Sequence, residues 1–542
     1  MIHPNLISVI ASGAYVSHEL VAEFGPLPPA FLPLGVGRLY DMQIASLKQD
    51  LTEASPIYIT LPESFDVPAH DLQSFKDKGV TPIFVPDGLD LGASIVFAVN
   101  SISAYSAGIR VLHGDTLLDR LPSGLDVVAS HAEGDDYCWA AINHSGTQIE
   151  SLELIEAASE TQLSRPVACG YFAFSSCSEL VRAMVRSGYD FLRGVNAYNR
   201  LHPMRMDNIE HWYDFGHLQT YFHSRRMVTT ARSFNSLQIT RNTVKKLSTD
   251  AFKMQAEANW FARIPADARP YSARLLDQGQ DGTRAFYSTE YQYAPNLSEL
   301  FVFSGIGRIT WQKLLSSCTE FLEICASHEG EIPRAHYARQ LMGKKTVERL
   351  ERYARESGFD IAKPLSLNGR PMPSLAEIAT SLEGMISVPD AAEPSTIMHG
   401  DFCFSNILYN SRNNRISVID PRGYVSSGEH DIYGDIRYDI AKLSHSINGL
   451  YDLIIAGRYR LTQQNMYSFS LEFPPSSQRN WLRNQFADLT IAGISTASQE
   501  IGAITTSLFV SMLPLHADRP DRQAAFIANA LRLFSALEGK PA

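Results

Sequence analysis

The chain has 542 residues, 45% hydrophobic and 19% charged, and its 47 Lys+Arg against 58 Asp+Glu leave a net charge of -11. At roughly 100–200 residues per domain this length predicts several compact units, and 10% aromatic content excludes a disordered chain. Net acidity excludes a phosphate-backbone binder, so no nucleic-acid partner is expected, although a local cleft can still take a small anion.

In chain order, short apolar runs at residues 6–10, 57–60, 81–85, 109–112, 125–130, 137–142 and 170–174 read as strands. Helical patterns at 40–51 and 92–101 lie between them. Such alternation predicts a mostly parallel sheet covered by helices. After about Ser224 the pattern changes: 233–248 reads as paired strands, 250–264 as a helix closed by Pro265, and a further strand pair runs through 284–293. From Gly307 onward it is mostly helical, broken by one turn-rich strand region at 397–428. The expected domains are 1–228, a β-rich lobe at 229–300, and a helical lobe at 301–542.

The six cysteines, Cys138, Cys169, Cys177, Cys318, Cys325 and Cys403, contain no C-x-x-C pair and predict free buried thiols in a reducing cytoplasm. No Lys or Arg precedes the short apolar stretch near the N-terminus, so no secretory signal is expected. The apolar stretch 504–515 falls short of the ~20 residues a spanning helix needs, so no membrane insertion is expected.

The sharpest chemical signal is IMHGDFCFSNIL (397–408) followed by ISVIDPRG (416–423). His399, Asp401 and Asn406 fall in the frame H-x-D-x-x-x-x-N, and Asp420 ends an apolar strand before Gly423. In a kinase catalytic loop of this spacing the Asp accepts the substrate hydroxyl proton and the Asn holds a metal. A carboxylate and an amide oxygen are hard ligands suited to Mg²⁺.

These residues resemble the phosphotransferase family that includes aminoglycoside phosphotransferases and choline kinases. The resemblance covers residues 230–542 and implies a two-lobed, α+β protein-kinase-like fold that transfers the γ-phosphate of ATP to a small molecule. It makes Asp401 the catalytic base, Asn406 and Asp420 the Mg²⁺ ligands, and His399 a support of the loop. It also implies a strand lysine paired with a helix glutamate, which TVKKLSTDAFKMQAEANWF (243–261) supplies. Adjacent strand residues face opposite sides, so one of Lys245 and Lys246 faces the phosphates, and alternation alone does not choose. The V-x-K-x-S frame of Val244, Lys246 and Ser248 resembles the family's lysine strand and favours Lys246, with Glu257 as its partner. No G-x-G-x-x-G precedes this strand, and residues 233–236 are the expected turn over the phosphates. Adenine is expected against backbone groups of 290–293, at Glu290 and Tyr291. Glu429, Asp431, Asp435 and Asp439 read either as a pocket for a cationic or polyhydroxyl substrate or as helix caps bracing the catalytic loop.

In the first part, AFLPLGVGRL (30–39), RVLHGDTLL (110–118) and EHWYDFGHLQTYF (210–222) are similar to segments of the sugar-phosphate nucleotidyltransferases. This resemblance covers residues 1–225 and implies a doubly wound α/β fold in which Asp115 and Asp214 share Mg²⁺. Two features depart from it. The phosphate-wrapping G-x-G-x-R loop is replaced by ASGAYVSHEL, and Pro29 stands where the family has a lysine. Three readings follow: an active enzyme using CTP or another nucleoside triphosphate with a different cation such as Arg38, a domain that binds without turnover, or a structural domain. An active pair would phosphorylate a metabolite and convert it to a nucleotide conjugate, as in surface or capsular polysaccharide precursor supply. The contrasting class is a nucleotide-binding scaffold or sensor. His211 and His217 flank Asp214 and read as hydrogen-bonded structural groups rather than zinc ligands.

Overall fold

A computed structural model describes residues 6–49, 55–132, 139–155, 165–232, 237–390, 392–425 and 429–539. The chain divides into two compact units: Met1–Val228 with Phe303–Gly305, and Thr229–Val302 with Ile306–Ala542.

The first unit is built on a nine-stranded sheet. Its centre is Leu6–Ala11, paired in parallel with Ile57–Pro62 on one side and Gly108–His113 on the other. Val80–Val85 extends it in parallel beyond Ile57–Pro62. These strands are largely apolar because helices cover parallel strands on both faces. Val9, Val111 and Phe172 pack on Val99 of helix Leu91–Ile102 and on Leu180 and Met184 of helix Cys177–Arg186.

The remaining half corrects the expectation of a mostly parallel sheet. Val167–Phe174 runs antiparallel to Gly108–His113 and to Val127–His131. Beyond them lie Arg205–Asn208, Gln148–Ile155 and Trp139–Ser145. The far edge is the hairpin Trp139–Ser145 with Gln148–Ile155, and hairpins return antiparallel. Gln148–Ile155 and Arg205–Asn208 were not expected, since polar sequences such as RMDN carry no strand pattern.

The second unit opens with a four-stranded antiparallel sheet in the order Leu237–Ile239, Thr243–Ser248, Arg284–Glu290, Leu275–Asp281. Helix Ala251–Arg263 follows the second strand, and the Asp250 side chain caps it by accepting from the Lys253 N–H. The larger lobe is helical, with Gln499–Ser511 and Pro520–Leu537 contributing to one core. It holds more strands than expected. Leu365–Leu367, Arg370–Met372, Arg460–Asn465 and Ser468–Glu472 form a second four-stranded sheet, missed because segments such as RLTQQN are short and polar. The expected phosphate turn at 233–236 lies outside the described residues. Cys169, Cys177, Cys318, Cys325 and Cys403 are buried free thiols, and Cys138 also lies outside the described residues. No described helix is long and apolar enough to cross a membrane.

Candidate active site

Strand Pro394–Ile397 delivers the loop that carries His399, Asp401 and Asn406, and the hairpin Ile407–Asn410 with Arg415–Val418 delivers the rest. The register Ile407↔Val418 brings Asn406 and Asp420 to the same end of that hairpin, and the Ile419 N–H donates to the Asn406 carbonyl at 3.0 Å. Asn406 Nδ2 donates to Asp401 Oδ2 at 2.9 Å and to the Asp401 carbonyl at 3.0 Å. His399 is fully buried, its Nε2 3.0 Å from the Ile419 carbonyl and its Nδ1 3.3 Å from the Asp401 N–H. Burial pushes this imidazole down to about 4, so it is neutral and donates through Nε2 while accepting at Nδ1. It ties the two loops together.

Lys442 Nζ lies 2.7 Å from Asp401 Oδ1. Burial works to raise the Asp401 carboxyl, but the Lys442 ammonium prevails and holds it down to about 2. Asp439 accepts from the N–H groups of His399 at 2.6 Å and Gly400 at 2.8 Å, and its burial pushes it up to about 7. Asp435 caps helix Ile436–Ile447 and pairs with Arg437. Asp431 accepts from the Tyr337 hydroxyl and the Tyr433 N–H. The acids after Asp420 are therefore mostly engaged within the fold, as caps and braces. Only Glu429 is exposed.

Across from this loop, Lys246 Nζ lies 2.7 Å from Glu257 Oε2 and 3.1 Å from Asp420 Oδ1. Lys245 points the other way, 2.8 Å from Asp281 Oδ2 and over the Phe286 ring. The Tyr287 hydroxyl sits 2.8 Å from Glu257 Oε2 and 3.2 Å from Asp420 Oδ1. Burial raises the Glu257 carboxyl against the pull of Lys246. Asp420 itself is 47% exposed and holds a left-handed backbone, φ +54°. Its carboxylate already faces a cation, and with the Asn406 amide it makes an oxygen donor set that fits Mg²⁺.

Two participants escaped sequence reasoning. Tyr287 is the cross-strand partner of Lys246, so the sheet register was its signal. Lys442 lies three residues after Asp439 on one helix face, a spacing that lets both reach the same loop. At Glu290 and Tyr291 the backbone N–H groups donate to the carbonyls of Arg274 at 3.0 Å and Asn242 at 2.8 Å, so neither donor is left for adenine. The Glu290 carboxylate accepts from Gln292 Nε2.

The first unit holds a cavity of about 930 Å³ lined by Gly13, Tyr15, Pro29, Asp90, His113, Asp115, Asp190, Asp214 and His217, among others. Strand Trp212–Asp214 pairs with Thr116–Leu118, register Asp214↔Thr116, which brings the two acids together. A Cβ built on Gly216 would lie 2.9 Å from Asp115 Oδ2 and 3.5 Å from Asp214 Oδ1. No lysine or arginine lines the cavity among the described residues, and stretches 133–138 and 156–164 contain none in sequence. Arg38 is corrected here as a phosphate ligand. It is 3% exposed, 3.1 Å from Asp71 and 2.7 Å from the Phe31 carbonyl. His211 sits beside Glu210, and no group of three or more metal-ligating side chains occurs among the described residues.

No family model matches the chain, and no curated protein matches it. Solved structures similar to it include a UTP-bound UGPase from Acinetobacter baumannii, at 12% identity and a TM-score of 0.31, covering 42% of this chain and 94% of that one. A thermostable mutant of aminoglycoside phosphotransferase, in ternary complex with ADP and hygromycin B, is similar at 12% identity and a TM-score of 0.35, covering 57% of this chain and 97% of that one. A 4-diphosphocytidyl-2C-methyl-D-erythritol synthase matches at 11% identity and a TM-score of 0.28, covering 42% and 100%. Its structural neighbours thus include nucleotidyltransferases and kinase-like phosphotransferases.

Proposed function

We propose that the second unit is an ATP- and Mg²⁺-dependent phosphotransferase acting on a hydroxyl of a small molecule. The supporting observation is the convergence of Lys246, Glu257 and Asp420 on one side with Asp401 and Asn406 on the other, linked through a single hairpin end. Phosphoryl transfer leaves the protein little covalent work, so positioning and charge neutralisation dominate. Glu257 and Tyr287 hold Lys246 for the phosphates. Asn406 and Asp420 would hold Mg²⁺, which neutralises phosphate charge when bound.

Asp401 is a weak base, since its carboxyl is held at about 2. It serves first to orient the acceptor hydroxyl and takes the proton late, when the nascent phosphoester has made that proton acidic. Asp401→Asn should leave folding and Mg·ATP binding intact and lower turnover at least ~100-fold, the scale of general-base help. Retained turnover would overturn the assignment. Binding of Mg·ATP with no transfer to any of a broad range of metabolites would favour a nucleotide sensor instead.

For the first unit the favoured reading is a domain that binds a ligand without transfer from a triphosphate. Its cavity keeps two adjacent acids, Asp115 and Asp214, yet among the described residues offers no Lys or Arg to balance phosphate charge. His113 lies near Asp115, but burial lowers its pKa and keeps it neutral.

A further inference from the structure

We infer that the acceptor molecule is an anion, bearing a phosphate or carboxylate held by Lys345, Arg349 and Arg422 while its hydroxyl lies at Asp401. This rests on the phosphotransferase reading above and names the substrate class of that site.

The three cations come from two elements and reach the catalytic loop by separate routes. Lys345 begins helix Lys345–Ser357 directly after a π-helical turn, Arg339–Lys344, a distortion found often at functional sites. Its Nζ lies 2.9 Å from the hydroxyl of buried Tyr438, and Tyr438 stands one helical turn before Lys442, the partner of Asp401. Arg349 follows Lys345 by four residues, hence on the same face, with Nη1 3.3 Å from the Ser511 carbonyl. Arg422 donates its backbone N–H to the His399 carbonyl at 2.8 Å and packs against Gly400, where an added Cβ would lie 2.6 Å from Arg422 Cβ. Its guanidinium lies over the Tyr424 ring.

Among the described residues none of the three pairs with a carboxylate. The acids of helix Lys345–Ser357 are taken elsewhere: Glu348 by Lys344, Glu351 by Arg355, Glu356 by Arg352. Asp401, an acid that acts on Lys345, is already bound by Lys442, and Asp431 is bound by Tyr337. Burial, with Arg422, Arg349 and Lys442 nearby, drives the Lys345 ammonium well below its ordinary range. Partly buried cations normally have a counter-charge, and here the described residues supply no carboxylate paired with any of the three. The nucleotide has its own cation in Lys246, on the opposite lobe.

The test uses the full chain with saturating Mg·ATP and three matched acceptor sets: sugar monophosphates and hydroxy acids, neutral sugars, and amino alcohols. Transfer to the anionic set at least tenfold better in kcat/KM is expected. Arg349→Gln should raise the acceptor KM on the order of tenfold and leave the ATP KM unchanged, with partial rescue by Arg349→Lys. Preference for neutral or cationic acceptors, or a rise in the ATP KM alone, would overturn the inference and leave the phosphotransferase reading standing. If no acceptor is turned over, inorganic phosphate and citrate are titrated into protein saturated with Mg·AMP-PNP. A thermal shift that Arg349→Gln removes supports the anion site, and no shift overturns it. Failure of Mg·AMP-PNP itself to bind would overturn both readings.

Discussion

At Asp439, burial and hydrogen bonding pull in opposite directions. Both oxygens accept backbone N–H groups, from His399 and Gly400, which requires the ionised form, yet burial pushes the group up to about 7 from an ordinary ~3.9. Asp401 and Lys442 act on it in opposite senses. Protonation would take one acceptor from the loop that carries Asp401. Turnover should therefore rise with pH through an apparent pKa near 7, while Asp401, at about 2, adds no limb near neutrality. The stability sign is the reverse: between ~3.9 and 7 the native state binds more protons than the unfolded one, so this group's contribution declines as pH rises. A pH–rate profile of wild type and Asp439→Asn checks this; the acid limb should vanish in the variant, and its persistence would assign the limb elsewhere. The H-x-D-x-x-x-x-N frame made the grouping of His399, Asp401 and Asn406 legible, and the short hairpin that follows set Asp420 beside them. Lys442 and Tyr287 act only through tertiary position, which no short motif encodes.

The helix Ala251–Arg263 and the loop carrying Asp420 are distinct elements held at backbone contact by one residue. Gly423 has φ +65°, and a Cβ there would lie 2.0 Å from the Ala256 carbonyl and 3.1 Å from the Glu257 N. Any side chain would force the helix away and take Glu257 from Lys246. Gly423→Ala should cost about 1–3 kcal/mol of stability, the scale of overpacking, and lower kcat/KM at least tenfold. Gly384, with nothing within 4 Å and no positive φ, is the control: Gly384→Ala should leave both nearly unchanged. Tm and steady-state kinetics of the two variants decide it, and equal behaviour would remove the contact from the account. At this scale the apolar strands and long helices were legible from periodicity, including Leu91–Ile102 and Ala251–Arg263. Strands such as Arg460–Asn465 were not, because they lie mostly exposed and their identity comes from a neighbour's unpaired backbone.

For the whole chain, the open question is whether the first unit adds a second transfer reaction. Transfer from a nucleoside triphosphate needs cations to offset charge that accumulates on the leaving pyrophosphate. The cavity around Asp115 and Asp214 presents Asp90 and Asp190 as well, with no Lys or Arg among the described residues that line it. Arg38, the candidate replacement, is enclosed by Asp71, Phe31 and its own unit's core. A Mg²⁺ ion on the two acids would neutralise them before it could neutralise a triphosphate. We therefore expect no pyrophosphate when the Asp401→Asn protein, chosen to suppress the proposed kinase reaction, is given CTP, UTP, GTP or dTTP with phosphate monoesters. Nucleoside or sugar binding should remain measurable by calorimetry and should weaken in Asp115→Asn. Pyrophosphate release abolished by that same substitution would establish a nucleotidyltransferase that works without a lysine or arginine in its cavity and make the chain bifunctional.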